Sequence, residues 1–281
     1  ILARFTLFFT QSLSRTRVYN FYGFVCDGVY KDLEDLQTSP KPAKYPANGV
    51  FDRTNTVWVG DVKYKDISGP DGVPDGVIDD YDKTNIGSPM PKFTFGWTNT
   101  FRYKNFDLSV FINGSYGNKV YNYLSMKLTH MNSPWTNQLN AVNGRAQLVP
   151  INPNKVYEDG TMWYNDVSNV MVANPGASIP RATINDPNDN DRISDRYIED
   201  GSYIRLKNIS LGYTFPKKTI DKLGLSNLRI YANIQNLLTI TGYDGYDPEI
   251  GASTSSVNVY GLDNGRYPSP TVYSFGLNVS F

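Results

Sequence analysis

Apolar and polar residues alternate with a period of two in five segments of the chain. The clearest segment is "KFTFGWTNTFRY" at 92–103, where the odd positions are mostly aromatic and the even positions are Lys, Thr, Gly and Arg. Similar alternation occupies 105–116, 204–215, 227–238 and 271–281. A period of two places successive side chains on opposite faces of a β-strand, so each segment is predicted to be a strand with one apolar and one polar face.

The content of the two faces favours a membrane barrel over a soluble sandwich, although both architectures alternate. Polar positions hold Gly, Ser, Thr, Asn and single charges, as a water-filled lumen would, and aromatic residues gather at the segment ends. Segments of about ten residues match the ~9–11 that cross a bilayer at a tilt. We therefore predict an all-β, transmembrane antiparallel β-barrel. The predicted apolar faces comprise Phe93, Phe95, Trp97, Phe101 and Tyr103; Phe106, Leu108, Val110, Ile112 and Tyr116; Ile209, Leu211, Tyr213 and Phe215; Leu228, Ile230, Ala232, Ile234 and Leu238; and Tyr273, Phe275, Leu277, Val279 and Phe281.

The connections between the predicted strands alternate between short and long. A tight turn at Lys104 and a short link at 216–226 alternate with long connections at 117–201 and 239–270. Outer-membrane barrels have short periplasmic turns and long extracellular loops, so 57–91, 117–200 and 239–270 are predicted to be extracellular. Helical periodicity is confined to two short candidates, 29–37 and 217–224.

Composition excludes several classes of protein. The 27 Lys and Arg balance 27 Asp and Glu, so no broad basic field exists to hold nucleic acid. No apolar run reaches the ~18 residues of a membrane helix. Cys26 has no partner for an internal disulfide, and we expect neither it nor the single His130 to have a functional role. Because the chain begins at Ile1 without a leader, we expect it to be a fragment.

The acidic stretch "DGVPDGVIDDYD" at 71–82 has the spacing of a twelve-residue calcium loop, with Gly76 at the sixth position. Val73 stands where a third ligand belongs, so water, Asp66 or Ser68 must replace it. The alternative is an acidic, solvated turn shaped by Gly and Pro. The predicted ligands are Asp71, Asp75, the carbonyl of Val77, Asp79 and Asp82.

Five segments between Gly60 and Phe281, in family order, resemble the C-terminal part of the SusC/RagA family of TonB-linked outer-membrane transporters of Bacteroidetes. They are "VGDVKYKDISGPDGVPDGVIDDYDKTNIGSPMPKFTFG", "YKNFDLSVFINGSYGNKVYN", "YIEDGSYIRLKNISLGYTFPK", "LRIYANIQNLLTITGYDGYDPE" and "YPSPTVYSFGLNVSF".

This resemblance implies a barrel of 22 strands around an N-terminal plug, with the whole of 1–281 in the C-terminal part of the barrel. It also implies a SusD-like surface lipoprotein as partner, and import of an oligosaccharide or peptide powered by TonB–ExbB–ExbD through a part that this chain lacks. At roughly 20 to 25 residues per strand, 281 residues are expected to supply about half of the barrel. The terminal Phe281 would be the signal for the outer-membrane assembly machinery.

Aromatic side chains in the predicted outer loops are candidates for substrate contact, because an aromatic face suits the C–H side of a pyranose. For each of them, packing within the loops or contact with the lid protein is the alternative. The candidates are Trp135, Trp163, Tyr164, Tyr243, Tyr246 and Tyr260.

The sequence leaves two functions open. The first is a TonB-dependent importer, and the second is a passive porin-like, structural or adhesive barrel. We do not expect an enzyme, since no nucleophile, base and oxyanion donors converge. The carboxylates of Asp244, Asp247 and Glu249 are interpreted as parts of a rigid outer loop, and Arg205 as a charge-pairing residue where a strand begins.

Overall fold

A computed structural model describes residues 2–11, 20–42, 49–250 and 260–281. Within these ranges strands predominate and helices are few and short, which confirms the all-β prediction. The chain divides into two compact units. The sheet unit comprises 1–19, 88–120 and 199–281, and the loop unit comprises 20–87 and 121–198.

The sheet unit is built on six long strands that are hydrogen-bonded in chain order, each antiparallel to the next. Short connections join β2 to β3 and β4 to β5, and long ones join β3 to β4 and β5 to β6, as the sequence predicts; the connection from β1 to β2 is also long. The strands are β1 (Leu2–Gln11), β2 (Phe93–Tyr103), β3 (Phe106–Tyr116), β4 (Tyr203–Thr214), β5 (Asn227–Thr241) and β6 (Val272–Ser280).

Strand β1 was not among the predicted strands, yet it pairs with β2 along its whole length. The expectation that the chain supplies about half of the barrel strands is also wrong. The described residues form six long strands, about a quarter of the 22 that the resemblance implies, because much of the chain lies in the long connections that form the loop unit.

The remaining elements are short. Both helical candidates contain helices, α1 (Leu33–Thr38) and α3 (Lys217–Ile220), and a further helix, α2 (Tyr123–Thr129), follows β3. No helix among the described residues is long and apolar enough to cross a membrane. The short strands are Phe21–Gly23, Cys26–Val29, Lys41–Pro42, Val62–Tyr64, Val77–Ile78, Thr84–Gly87, Lys119–Asn122, Leu148–Pro150, Val170–Val172, Ile198–Asp200 and Leu262–Asp263. The 3-10 helices are Asp80–Asp82, Asn140–Gly144, Trp163–Asn165, Val167–Asn169, Asp195–Tyr197 and Asp221–Leu223.

The loop unit has a hydrophobic core of its own, centred on the fully buried Trp58. Asp61 lies inside this unit, where its carboxylate accepts hydrogen bonds from the Trp58 amide at 2.8 Å and from Arg181 Nε at 2.7 Å. A buried carboxylate needs such partners to offset its desolvation, so this ion pair fixes two distant segments together. The buried cluster comprises Val29, Tyr30, Leu36, Val57, Trp58, Val59, Ala146, Val170, Val172 and Ala177.

Candidate functional site

One face of the sheet is a continuous apolar surface. The register places apolar residues opposite each other, such as Phe101 with Leu108 and Ala232 with Phe275. These side chains are exposed to an extent unusual for a folded domain; Phe275 is 83% exposed. A large exposed apolar patch marks a surface that contacts a membrane or another protein.

A β-bulge keeps this face continuous across β4. Leu206 pairs with Ile112 of β3 and Asn208 pairs with Phe111, so Lys207 is an extra residue between them. The insertion reverses the alternation, and Ile204 and Leu206 therefore share a face with Ile209.

Aromatic rings form a band at each end of the apolar face. At one end the rings of Phe106 and Tyr213 lie 4.6 Å apart between centroids, and at the other those of Phe93 and Tyr116 lie 5.3 Å apart. The eleven residues of β2 join the two ends and rise about 36 Å, which at a tilt of about 40° spans about 28 Å. This height matches the apolar band of a membrane barrel, about 25 Å tall.

The opposite face of the sheet carries a salt bridge that crosses a strand. Arg229 Nη2 on β5 lies 2.7 Å from Asp107 Oδ2 on β3, and β4 runs between these two strands. The pair passes over Gly212, where a Cβ atom would lie 2.3 Å from Arg229 Nη2. Glycine is therefore required for this contact.

Arg205 holds the connection between β5 and β6 against the sheet. Its guanidinium, nearly fully buried, pairs with Asp247 and lies 2.6 Å from Glu249 Oε2. Burial raises the pKa of Asp247, but amide donors from Ser269 and Glu249 and the Arg205 guanidinium outweigh it and lower that pKa to about 2. The geometry agrees with the prediction of a rigid loop.

The acidic loop turns its carboxylates toward its own backbone. Asp82, fully buried, accepts from the amides of Ile67 and Asp79, at 2.7 and 2.8 Å. Asp79 accepts from the Tyr81 amide, and Asp75 accepts from the Val77 amide. Among the described residues, the group of three side chains close enough to share a metal ion is His130, Asp186 and Asp191, which lie outside this loop. The Asp75, Asp79 and Asp82 carboxylates thus accept hydrogen bonds from backbone amides, and calcium binding by this loop stays a prediction.

The predicted substrate aromatics fall into two groups. Trp135 and Tyr246 are 92% and 64% exposed, so they are available for contact. Trp163 packs against the core of the loop unit, and the buried Tyr243 donates a hydrogen bond from its hydroxyl to Asp263. Tyr164 lies beneath Arg53, whose guanidinium carbon is 4.9 Å from the ring centroid.

His130, for which the sequence predicts no role, lies between two carboxylates in the loop unit. Its Nε2 is 2.9 Å from Asp186 Oδ2, and its Nδ1 is 3.3 Å from Asp191 Oδ2. Burial lowers the pKa of His130, but the two carboxylates outweigh it and raise that pKa to about 9. Asp186 and Asp191 lie more than fifty positions after His130, so no local sequence motif predicts the cluster.

Comparison with known proteins places the chain in a family. No protein-family model matches it. It is 32% identical over 267 residues, 93% of the chain, to TonB-dependent receptor P3 of Formosa agariphila, and 29% identical over 73% of the chain to TonB-dependent receptor SusC of Bacteroides thetaiotaomicron. The chain belongs to the SusC/RagA-like TonB-dependent receptors. The predicted resemblance is thereby confirmed, and the chain covers the C-terminal part of such a receptor.

Solved structures agree with this fold. The SusC/RagA-like chain is similar to the RagAB peptide transporter with a TM-score of 0.57 and 19% identity, over 94% of the chain. It is also similar to the RagAB peptide importer in the open-open state, with a TM-score of 0.58 and 16% identity. It spans 22% of the P3 receptor, 17% of SusC and 23% of the first solved chain.

Proposed function

We propose that this chain forms part of the wall and outer loops of an outer-membrane receptor that imports a nutrient by a TonB-dependent mechanism. The observation that carries the proposal is the apolar face of the antiparallel sheet, bordered by aromatic bands at a spacing suited to a bilayer. Outer-membrane lipids would contact this face, while the opposite face, with the Asp107–Arg229 pair, would line the lumen. The proposal is for transport, not enzymatic activity.

A closed barrel of 22 strands is part of this proposal. Backbone groups at open sheet edges cannot be satisfied by lipid, and the sheet described here has edges at β1 and β6. The remaining strands and the plug would come from the rest of the receptor, since the chain spans about a fifth of its relatives. Coupling to TonB–ExbB–ExbD would likewise require that part.

A SusD-like lipoprotein is the proposed partner, and an oligosaccharide or an oligopeptide is the proposed substrate. Similarity to SusC and to RagAB supports a partnered importer. Co-purification of the full-length receptor from outer membranes tests the partner. Recovery of the receptor without any lipoprotein would contradict this part of the proposal.

A transport assay tests the function itself. The full-length receptor in liposomes is expected to give no swelling with small sugars, because a plug closes the lumen. In cells, uptake of the substrate is expected to stop when TonB is removed. Free flux through the purified receptor would instead favour the passive porin.

Calcium binding by the acidic loop stays a separate prediction. Asp75, Asp79 and Asp82 accept hydrogen bonds from backbone amides, which supports the alternative of an acidic turn without an ion, here called the self-capped turn. Calorimetric titration of chelator-treated receptor with Ca²⁺ distinguishes the two, because the self-capped turn gives no heat of binding.

A further inference from the structure

The loop unit contains a pocket lined by one arginine that forms no salt bridge with any described residue. The cavity has a volume of about 450 Å³, within the range of small-molecule sites. Its lining residues are Arg53, Thr54, Met131, Ala182, Thr183, Ile184 and Asn185. We call it the Arg53 pocket.

Arg53 has donors that no described residue uses. Its Nε is buried without a hydrogen-bond partner, and no carboxylate pairs with its guanidinium in the described part of the chain. The nearby Asp52 is turned to the amides of Thr54 and Asn55, at 2.7 and 3.0 Å. The Arg53 guanidinium lines the pocket without a carboxylate partner among the described residues, so an anion bound in the pocket would supply its counter-charge.

A second arginine strengthens the positive field. Arg181 donates from Nη2 to the Arg53 carbonyl at 3.2 Å, and its only ion pair among the described residues is with Asp61. Arg181 is 3% exposed, and its Nη1 has no partner. Two guanidinium groups thus share one carboxylate. Such a site favours a bound anion, and a guanidinium recognises a carboxylate through two parallel hydrogen bonds.

The other polar groups of the pocket suit a sugar. Thr54, Thr183 and Asn185 line the same cavity as Arg53, and the Thr183 hydroxyl, which donates to the Asn185 carbonyl, can still accept a hydrogen bond. A carboxylate on a pyranose ring has hydroxyl groups beside it, whereas an aspartate or glutamate side chain has only methylene groups there. Tyr164 makes a cation–π contact with the Arg53 guanidinium.

We propose that the Arg53 pocket binds the carboxylate of an acidic oligosaccharide during import. This inference rests on the proposed transport function and narrows its substrate to a uronate-containing glycan. Arg53 would donate hydrogen bonds to the carboxylate. The threonine hydroxyls and the asparagine amide would accept hydrogen bonds from the adjacent sugar hydroxyls or donate hydrogen bonds to them.

The test compares binding of a uronate tetrasaccharide, a neutral tetrasaccharide of the same linkage and an acidic tripeptide to the full-length receptor with its partner. Arg53→Gln is expected to weaken uronate binding by about 10- to 100-fold, as loss of a charge-assisted pair predicts, and to leave neutral binding unchanged. Arg53→Lys should retain part of the affinity, and Thr183→Val should lose less than Arg53→Gln. Lys65→Gln, which removes an exposed charge from the same unit, is the matched control.

Each outcome decides the inference. Equal weakening of uronate and neutral ligands would assign Arg53 a packing role, and unchanged uronate binding would exclude the pocket. Arg53-dependent binding of the tripeptide alone would overturn the sugar assignment. A receptor that imports a neutral glycan independently of Arg53 leaves the proposed function standing, whereas a receptor that imports nothing contradicts that function first.

Discussion

Glycine residues in the long strands let larger side chains of neighbouring strands lie across them. Arg229 reaches Asp107 over Gly212, and the Tyr231 ring lies where a Cβ atom of Gly276 would be, at 2.1 Å. A glycine in a strand normally weakens it, so close approach by a neighbour is the physical reason for its presence here.

Gly212→Ala is predicted to destabilise the receptor by about 1–3 kcal/mol, because the added methyl group must displace Arg229 or Asp107. The urea midpoint of unfolding in lipid vesicles measures the effect. Gly242→Ala is the control, since nothing lies within 4 Å of its Cβ position. A midpoint equal to that of the control would show that the salt bridge moves aside freely.

The His130 cluster predicts a loss of stability in the loop unit at alkaline pH. The pKa of His130 is raised to about 9 in the folded chain, from about 6.5 when unfolded. The stabilisation is therefore complete below about pH 6.5 and is lost as the pH rises through 9, by at most about 3 kcal/mol.

Hydrogen exchange of the loop unit checks this prediction, with the wild type and His130→Gln compared at the same pH so that intrinsic exchange rates cancel. Their difference in protection is expected to be large at pH 6.5 and small above pH 9. A constant difference across this range would contradict a titrating histidine.

At the scale of elements, charge positions the part of the β5–β6 loop that contains Asp247 and Glu249, where the structure has no strand or helix. Arg205 extends from β4 and pairs with both Asp247 and Glu249, while Lys207 Nζ lies 2.9 Å from Glu249 Oε2. The buried Arg205–Asp247 pair has full hydrogen bonding, including the Ser269 amide at 2.9 Å from Asp247. Breaking one partner of such a pair leaves an uncompensated charge.

Asp247→Asn is predicted to loosen residues 242–250, with faster hydrogen exchange there and little change in the strands. Asp244→Asn is the matched control, because its described hydrogen bond, to Glu199, comes from the backbone amide. Because the pKa of Asp247 is lowered to about 2, wild-type protection should persist above pH 4 and decline as the pH falls toward 2. Unchanged protection from hydrogen exchange in Asp247→Asn would show that the Arg205–Asp247 pair does not hold this loop in place.

Strands β2 to β6 were predictable because each has a polar face and an apolar face, whereas β1 was not predicted and two details of the predicted strands were missed. Asn99 lies on the apolar face opposite Val110, and the bulge at Lys207 reverses the alternation of β4. Both depend on pairing with another strand, which alternation along one strand does not encode. The Arg53 pocket combines residues more than a hundred positions apart, so its parts carry no local motif.

At the scale of the whole molecule, the long connections do more than join strands. Most of them fold into a unit with its own core around Trp58, which explains why 281 residues yield only six long strands in the described part of the chain. In the proposed receptor this unit is extracellular and carries the Arg53 pocket.

The last strand leads to a prediction about assembly. Phe281 is 92% exposed at the end of β6, and Ser226 contacts the backbone of its last residues. The resemblance assigns a terminal aromatic to recognition by the assembly machinery, so deleting Phe281 is expected to lower the amount of folded receptor in the outer membrane several-fold. The heat-modifiable band on gels measures it. Phe281→Tyr should restore the band, whereas Phe275→Ala, which removes another highly exposed ring from β6, should leave assembly intact. A normal band after deletion would show that Phe281 serves only as part of the apolar face.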